Sequence, residues 1–356
     1  MTTATTHKLP PPVLETPTAW LGRDMAAVPE RWLVQLSDSQ IAELESAAQR
    51  FLDSGTEIGE MCRDDFPLPA FGAHLAELQK TLISGIGFQL LRGLPVADYS
   101  PEMIATIFCG VGAHLGKARS QNAMGHLLGH VRDVGADLND RNVRIYQTAR
   151  RQTFHTDSSD VAGLLCIHQS MEGGDSLLVS SVSIYNEMQR RRPDLVPLLF
   201  EPIATDRRGE VPTGEKPYFE IPIFNWHEGY LSALYQRQYV DSAQKVPGAP
   251  PLSEKKIEAL DLLDILTNDP ALNFSLRLEP GDMQFVHNHT LMHDRTEFHD
   301  WPAPKPRRHL LRLWLSIPGD RPLPEVYKQR YGSVTIGDRG GIITPHTKLT
   351  LPIDIE

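Results

Sequence analysis

The hydrophobic pattern changes near the middle of the chain, and this change restricts the fold more than any other feature. Before about residue 118, apolar residues recur at helical spacing. From residue 142 onward, short apolar or alternating segments are separated by turn residues. Alternation is typical of strands, whose side chains point to opposite faces in turn. Many short strands with turns between them are typical of a sandwich, a barrel or a double-sheet jelly roll.

Capping residues and apolar spacing predict five helices. They begin at Ser37 or Asp38, at about residue 68 (ending near 84), at Ser100 (ending near Leu115), at Ser183 (ending at Arg192) and at about residue 253 (ending near 268). Strands are predicted at 87–93, 143–148, 163–168, 176–180, 202–205, 218–224, 229–234, 273–278, 283–287 and 309–317.

The same patterns suggest how the chain is divided. Residues 1–30 contain three consecutive prolines and are predicted to be a poorly ordered arm. Residues 31–356 are predicted to form a single domain. Its expected parts are a helical N-terminal part at about 31–118, a jelly-roll core at about 85–318 and a C-terminal extension at 319–356. Residues 119–141 are polar and glycine-rich, which predicts either a wall of a site or a solvated loop.

Composition limits the partners and the compartment. The 356 residues carry a formal charge of −10, which argues against nonspecific nucleic-acid binding. The three cysteines have no short pair spacing, so a disulfide framework or a cysteine zinc cluster is not expected. The first twenty residues lack an apolar segment, and no apolar run reaches membrane-spanning length. We therefore expect a cytoplasmic protein with no membrane partner. The sequence leaves open whether it forms a homo-oligomer.

The segment Phe-His-Thr-Asp at 154–157 carries the clearest chemical signal. In extended backbone, a histidine and a carboxylate one residue apart project from the same face and can bind one metal ion. A histidine from the segment 287–293 would complete a set of two histidines and one carboxylate, which suits non-haem Fe(II) chemistry. Spacing alone does not choose among His287, His289 and His293. It also leaves open that the first pair is a hydrogen-bonded surface pair.

Four motifs follow one another in a fixed order. They are His155-Thr156-Asp157, Gly173-Gly174-Asp175-Ser176, Pro280-Gly281-Asp282 with Asn288 and His293, and the segment from Arg307 to Arg312. Together they resemble the taurine dioxygenase-like family of Fe(II)/2-oxoglutarate-dependent oxygenases, within the clavaminate synthase-like group. The resemblance covers roughly residues 85–318. It implies a mainly β fold with helical additions, in which N-terminal and inserted helices flank a double-stranded β-helix (jelly roll).

The resemblance also implies the residues that bind iron. His155 and Asp157 would be two ligands. His293 would be the third, because the family places this ligand five residues after an asparagine that follows a Pro-Gly-Asp strand start. His287 and His289 would then be structural or would support the ligands.

The co-substrate would be 2-oxoglutarate, with O2 as the oxidant. By resemblance, Arg308 would bind the distal carboxylate of 2-oxoglutarate, because the two parallel N–H groups of a guanidinium match the two oxygens of a carboxylate. Ser176 matches the position of a family hydroxyl that helps to bind the same carboxylate. Arg307 is interpreted as surface charge.

Substrate contacts are predicted around the same centre. Arg312 shares a strand face with Arg308. In the taurine enzyme the matching arginine meets the anionic group of the substrate, so Arg312 would bind a substrate carboxylate or the co-substrate. The other candidates lie on segments expected to approach the iron, namely Ser158, Ser120, Gln121, Asn122 and Tyr146.

The implied activity couples decarboxylation of 2-oxoglutarate, to succinate and CO2, with oxidation of a small polar substrate that carries a carboxylate. Hydroxylation is the default outcome, and desaturation and cyclisation stay open. Asp157 argues against halogenation, because related halogenases carry Gly or Ala there. Two alternatives are a divalent-metal hydrolase or isomerase on a jelly roll and a non-catalytic relative that binds a small molecule. Arg308 and Ser176 argue against the hydrolase, which needs no keto-acid clamp.

Overall fold

The computed structural model describes residues 11–137 and 143–353. Within these residues the α-helices, labelled α1 to α8 in chain order, are Gly22–Ala26, Asp38–Ser54, Phe71–Ile83, Pro101–Leu115, Ser181–Arg191, Arg237–Ala243, Glu254–Thr267 and Lys328–Tyr331. The strands, labelled β1 to β17, are Leu33–Gln35, Phe88–Arg92, Lys117–Ala118, Leu128–Val131, Gln152–His155, Val161–His168, Glu172–Gly173, Ser176–Ser180, Ile203–Asp206, Tyr218–Ile221, Phe224–His227, Tyr230–Ala233, Asn273–Leu276, Met283–His287, Leu291–Arg295, Phe298–His299 and His309–Ser316.

Two sheets form the centre of the fold. The major sheet has seven strands in the order β1-β2-β14-β6-β17-β3, with β4 also paired to β17. The minor sheet has the order β13-β8-β15-β5. Strands that neighbour each other in these sheets are far apart in the chain, which is the connectivity of a jelly roll. The predicted fold class, a mainly β jelly roll with helical additions, is confirmed.

Alternating side chains build a core between the sheets and a second core outside them. On β2, Leu90 belongs to the apolar cluster shared with Leu178 and Leu291 of the minor sheet. Its neighbour Leu91 belongs to the cluster formed with α2, α3 and α4. This alternation follows from the pleat of a strand. Helices α5 and α7 cover the outer face of the minor sheet in a third cluster.

The five predicted helices are confirmed as α2, α3, α4, α5 and α7, with small shifts at their ends. Ser37 caps α2 in a reciprocal bond pair with Gln40, and the hydroxyl of Ser100 accepts from Met103 N at the start of α4. These caps satisfy backbone N–H groups that have no partner inside the helix. Local sequence therefore determines where these two helices begin.

The N-terminal segment corrects one prediction. Residues 11–30 were expected to be part of a poorly ordered arm, but Leu14, Trp20 and Met25 are buried. The ring of Trp20 packs 5.6 Å from that of Phe88 and 5.8 Å from that of Phe274. Burial of this large indole ring holds the segment against the sheets, although its sequence has almost no regular hydrophobic pattern. The rest of the predicted arm, residues 1–10, lies outside the described residues.

Two other segments differ from the prediction. The alternating segment 143–148 is not a strand but contains a 3-10 helix at Ile145–Gln147. The carbonyl groups of Thr148 and Ala149 accept from the guanidinium of Arg295, and that of Ala149 also accepts from the backbone N–H of Phe298. Within the predicted loop 119–141, β4 pairs with β17. Among the described residues, no helix combines the length and the apolar character that a membrane crossing requires.

Candidate active site

The minor sheet brings two distant histidines face to face. His155 ends β5 and His293 lies in the middle of β15, and their Cα atoms are direct partners across the sheet. Asp157 lies two residues beyond β5. Its carboxylate oxygens are 3.9 Å from Nε2 of His155 and 3.7 Å from Nε2 of His293. Three ligand atoms this close can surround a single metal ion.

Side chains from other strands hold Asp157 in place. The backbone N–H of Asp157 donates to Oδ1 of Asn288 (3.0 Å), and Nδ2 of Asn288 donates to the carbonyl of Ser159 (3.0 Å). Trp314 on β17 donates from Nε1 to Oδ2 of Asp157 (2.8 Å). The major sheet therefore orients a carboxylate that follows a strand of the minor sheet. Such supporting contacts tune the affinity of a metal site.

The protonation states suit metal binding. Nδ1 of His155 donates to the carbonyl of Thr153 (2.8 Å), so the lone pair is on Nε2, which faces Asp157 and accepts from Nε2 of Gln152 (2.9 Å). Burial lowers the pKa of His155, and it lowers that of His293 to about 3, so both imidazoles are neutral. Burial opposes ionisation of Asp157, but the charge of Arg312 and the hydrogen bond from Trp314 favour the carboxylate, and the pKa of this carboxyl is lowered.

A cavity between the sheets runs from these three residues to Arg308 and Ser176. The Arg308 side chain is buried. Its Nη2 donates to the carbonyl of Gly174 (3.2 Å), and its Nη1 has no partner within the described residues. Burial lowers the pKa of Arg308 to about 10, so the guanidinium keeps its charge at neutral pH. Gly174 has a φ of 76°, and a Cβ there would lie 2.7 Å from Nε of Arg308.

Two residues of this cavity were missed by the sequence analysis. Gln284 on β14 accepts from the hydroxyl of Ser176 (2.9 Å), and its Nε2 has no partner within the described residues. Arg295 lies two residues after His293, on the same face of β15, and period-two spacing could have identified it. Burial and the charge of Arg308 lower the pKa of Arg295 to about 9.

The residues fit Fe(II) and 2-oxoglutarate. Two neutral imidazoles and a carboxylate form the open ligand set typical of non-haem iron. The unpaired Nη1 of Arg308 and Nε2 of Gln284 are buried donors in the same cavity. Buried donors without acceptors are costly, and a carboxylate bound between them would satisfy both.

Arg312 stands at the junction of this cavity with a second one. It lines both, and its Nη1 is 3.5 Å from Oδ2 of Asp157. Its guanidinium carbon lies 4.8 Å from the ring centroid of Tyr146 and 5.1 Å from that of Trp314. Tyr146 and Ser158 also line the second cavity. Three of the predicted substrate residues are thus brought together.

The other predicted substrate residues have partners inside the protein. Oε1 of Gln121 accepts from Nε of Arg312 (2.7 Å), and its Nε2 donates to the carbonyls of Leu127 and Arg312. The hydroxyl of Ser120 donates to the carbonyl of Asn122 (2.7 Å), and the side chain of Asn122 bonds Met124 and His126. Gln121 therefore reaches the second cavity through Arg312. Direct substrate contact by Ser120 and Asn122 stays a prediction.

Comparisons with known proteins agree with this geometry. The sequence model of the family described as "Taurine catabolism dioxygenase TauD, TfdA family" matches residues 51–314. FR-33289 synthase of Streptomyces rubellomurinus (strain ATCC 31215) is 34% identical over 298 residues, which is 83% of this chain and 88% of that protein. Taurine hydroxylase-like protein SAT17 of Stachybotrys chartarum (strain CBS 109288 / IBT 7711) is 31% identical over 309 residues, or 83% of this chain and 77% of that protein.

A solved structure supports the fold. Asparagine oxygenase, in complex with Fe(II), 2S,3S-3-hydroxyasparagine and succinate, superposes with a TM-score of 0.62 at 19% identity. The match covers 80% of this chain and 93% of that chain. The family model spans most of the chain, and a relative above 30% identity covers most of it. Together these two matches show the family of this chain and, with it, the type of chemistry. This chain belongs to the TauD/TfdA family, whose members are dioxygenases that use Fe(II), 2-oxoglutarate and O2.

Proposed function

We propose that this enzyme hydroxylates a small polar substrate with a carboxylate or another anionic group. In this proposal His155, Asp157 and His293 bind Fe(II), and Arg308 and Ser176 bind the distal carboxylate of 2-oxoglutarate. The observation that carries it is the cavity that joins these three residues to Arg308, whose Nη1 has no hydrogen-bond partner among the described residues. With both groups bound, decarboxylation of 2-oxoglutarate to succinate and CO2 supplies the oxidising power.

The residues of the chain supply binding and orientation. Trp314 occupies one lone pair of Oδ2 of Asp157 and so turns the carboxylate toward the two imidazoles. Gln121 fixes Nε of Arg312, and the rings of Tyr146 and Trp314 restrict its guanidinium. We propose that Arg312, Tyr146 and Ser158 contact the substrate. They line the second cavity, which Asp157 also lines and Arg308 does not. A restrained guanidinium loses little entropy on binding an anion.

We also propose that residues 31–356 act as a single oxygenase domain. The cluster that contains Leu44 of α2 and Ile107 of α4 also contains Leu165 and Leu313 of the major sheet. A core shared in this way does not divide at residue 118. The expected C-terminal extension, from residue 319, likewise returns to the site through Arg330.

An anaerobic titration of the apo protein with Fe(II), followed by 2-oxoglutarate, tests the proposal. The chelate is expected to give its weak visible charge-transfer band in the wild type. The band should be lost in His155→Ala, and Asp157→Ala should release no succinate because it lacks the anionic ligand. Full turnover in Asp157→Ala would overturn the metal assignment. Wild-type protein that is folded and binds a divalent metal but shows no band would overturn the assigned 2-oxoglutarate site.

A further inference from the structure

One buried arginine connects the cavity between the sheets with the backbone segment that carries Tyr146. Arg295 lines that cavity and is 7% exposed. Its Nη1 donates to the carbonyl of Ala149 (3.2 Å), and its Nη2 donates to the carbonyls of Thr148 (3.0 Å) and Ile145 (3.5 Å). A single side chain of β15 therefore holds both ends of this segment.

Tyr146 lies inside the held segment and lines the second cavity. Its ring centroid is 4.8 Å from the guanidinium carbon of Arg312. Two internal hydrogen bonds of 2.9 Å, donated by the amides of Gln147 and Thr148, close a single turn of 3-10 helix. A turn this short has little stability of its own. Its position therefore depends on contacts from outside the turn, and Arg295 supplies three of them.

Arg295 carries a buried charge that carboxylates compensate only at a distance. Its Nε has no partner within the described residues, and the adjacent carboxylate of Asp294 pairs with Arg151. The guanidinium carbons of Arg295 and Arg308 lie 4.7 Å and 5.1 Å from the ring centroid of Phe298, so two buried cations stand beside one ring. Like charges in a buried environment repel each other strongly. An anion at Arg308 would reduce this repulsion and favour the conformation in which Arg295 stays buried.

We propose that Arg295 is a positioning residue that holds Tyr146 in the second cavity, and that a 2-oxoglutarate carboxylate bound at Arg308 strengthens this hold. The inference rests on the oxygenase function proposed above. It goes beyond the binding of 2-oxoglutarate, because the residue that responds to the bound carboxylate donates to the backbone on the substrate side. A ligand that favours one of two conformations shifts the population toward it.

Hydrogen–deuterium exchange of the amides of Gln147 and Thr148 tests the proposal, because these N–H groups exchange when the turn opens. The protein is loaded anaerobically with Fe(II), and exchange is measured in peptides from 144–151 with and without saturating 2-oxoglutarate. In the wild type, 2-oxoglutarate should slow this exchange about tenfold, which is an ordinary coupling between two sites. In Arg295→Met, exchange should be fast and should not respond to 2-oxoglutarate. The charge-transfer band should persist there, because no proposed ligand is lost.

Two further variants separate positioning from the filling of space. Arg295→Lys keeps the charge and loses the parallel N–H pair, so 2-oxoglutarate should still slow exchange, but by less than in the wild type. Equal behaviour of Arg295→Lys and Arg295→Met would make Arg295 a merely structural residue and would overturn the proposal. Arg190→Met removes an exposed arginine of α5 and should match the wild type.

The charge-transfer band distinguishes this inference from the proposed function. A band in the wild type, combined with exchange that 2-oxoglutarate leaves unchanged, overturns the positioning role alone. This wild-type measurement and Arg295→Lys carry the test if Arg295→Met does not fold. Loss of the band in Arg295→Met would assign Arg295 to the binding of 2-oxoglutarate itself and would also overturn the positioning role. Absence of the band in the wild type overturns the proposed function.

Discussion

Two buried clusters in this protein each contain two histidines and a carboxylate within metal-binding distance of one another, and their contacts differ. The first is His155, Asp157 and His293, and the second is His287, His289 and Asp320. In the second, Nε2 of His287 bonds Asp320 (3.1 Å) and Nε2 of His289 bonds Asp160 (2.8 Å). Both imidazoles thus bond a buried carboxylate through Nε2.

An arginine supplies the positive charge in the second cluster. Arg339 is fully buried and donates from Nε to Asp160 (2.7 Å) and from Nη2 to Asp320 (2.9 Å). Burial works against its charge, but the two carboxylates outweigh burial and raise the pKa of Arg339. In the first cluster the nearest guanidinium, that of Arg312, is 3.5 Å from Asp157, and the imidazoles face a cavity. The two clusters are therefore distinguished by the cavity beside the first and by the hydrogen bonds that join both Nε2 atoms of the second to buried carboxylates.

Removal of one histidine from each cluster should have the largest and most different effects on the Fe(II)-2-oxoglutarate band. His293→Ala should abolish the Fe(II)-2-oxoglutarate band, because it removes one of the three proposed ligands. His289→Ala should retain the band, because that imidazole serves Asp160. Anaerobic titration of both variants measures this. Loss of the band in His289→Ala together with retention in His293→Ala would reverse the assignment of the two clusters.

Arg339→Met tests the structural role of the second cluster. The change removes the cation that joins Asp160 and Asp320 and leaves Asp320 with Arg321, 3.8 Å away, which should lower the free energy of unfolding by about 3–5 kcal/mol. Urea unfolding of the apo protein measures the loss. Arg190→Met, at an exposed ion pair, serves as the matched control and should change stability by less than about 1 kcal/mol. A stability equal to that of the wild type would mean that the arginine is not the counter-charge inferred here.

Arg308→Lys tests the proposed 2-oxoglutarate contact in the cavity beside the first cluster. An ammonium cannot reproduce the parallel N–H pair, so the apparent KM for 2-oxoglutarate should rise about tenfold, the equivalent of one charged hydrogen bond. Affinity for Fe(II) should change much less. Succinate release against 2-oxoglutarate concentration gives the first value and metal titration gives the second. Arg307→Lys, at an exposed neighbour, is the control, and unchanged kinetics in Arg308→Lys would point to Arg312 as the clamp.

Trp314→Phe is expected to have an effect no larger than that of Arg308→Lys, because it removes a supporting contact and no proposed ligand. Loss of the indole N–H frees Oδ2 of Asp157, and Fe(II) affinity should fall about tenfold, at the low end for such contacts. A competition titration with a metal chelator measures the change. An unchanged affinity would show that Asn288 and the backbone alone hold Asp157.

Several parts of the fold followed from local sequence. The helices with clear caps, α2 and α4, begin within one residue of their predicted starts. Most strands of the β-rich half were also predicted, because their apolar alternation is strong. The 3-10 helix at Ile145–Gln147 was missed because Arg295, from a distant strand, donates to the carbonyl of Ile145 and to two carbonyls that follow the helix. The packing of Trp20 was missed for a similar reason, since its partners Phe88 and Phe274 are far away in the chain.

Local sequence contains the apolar alternation typical of jelly-roll strands and the ordered motifs that resemble a family of iron oxygenases. Local spacing did not choose between the histidines at 287, 289 and 293, and only the family resemblance pointed to His293. The pairing of β15 with β5 places His293 opposite His155, and the tertiary structure joins the other two to Asp320 and Asp160, which Arg339 bridges. Strand register and buried charge pairing are long-range properties, so the tertiary structure had to supply them.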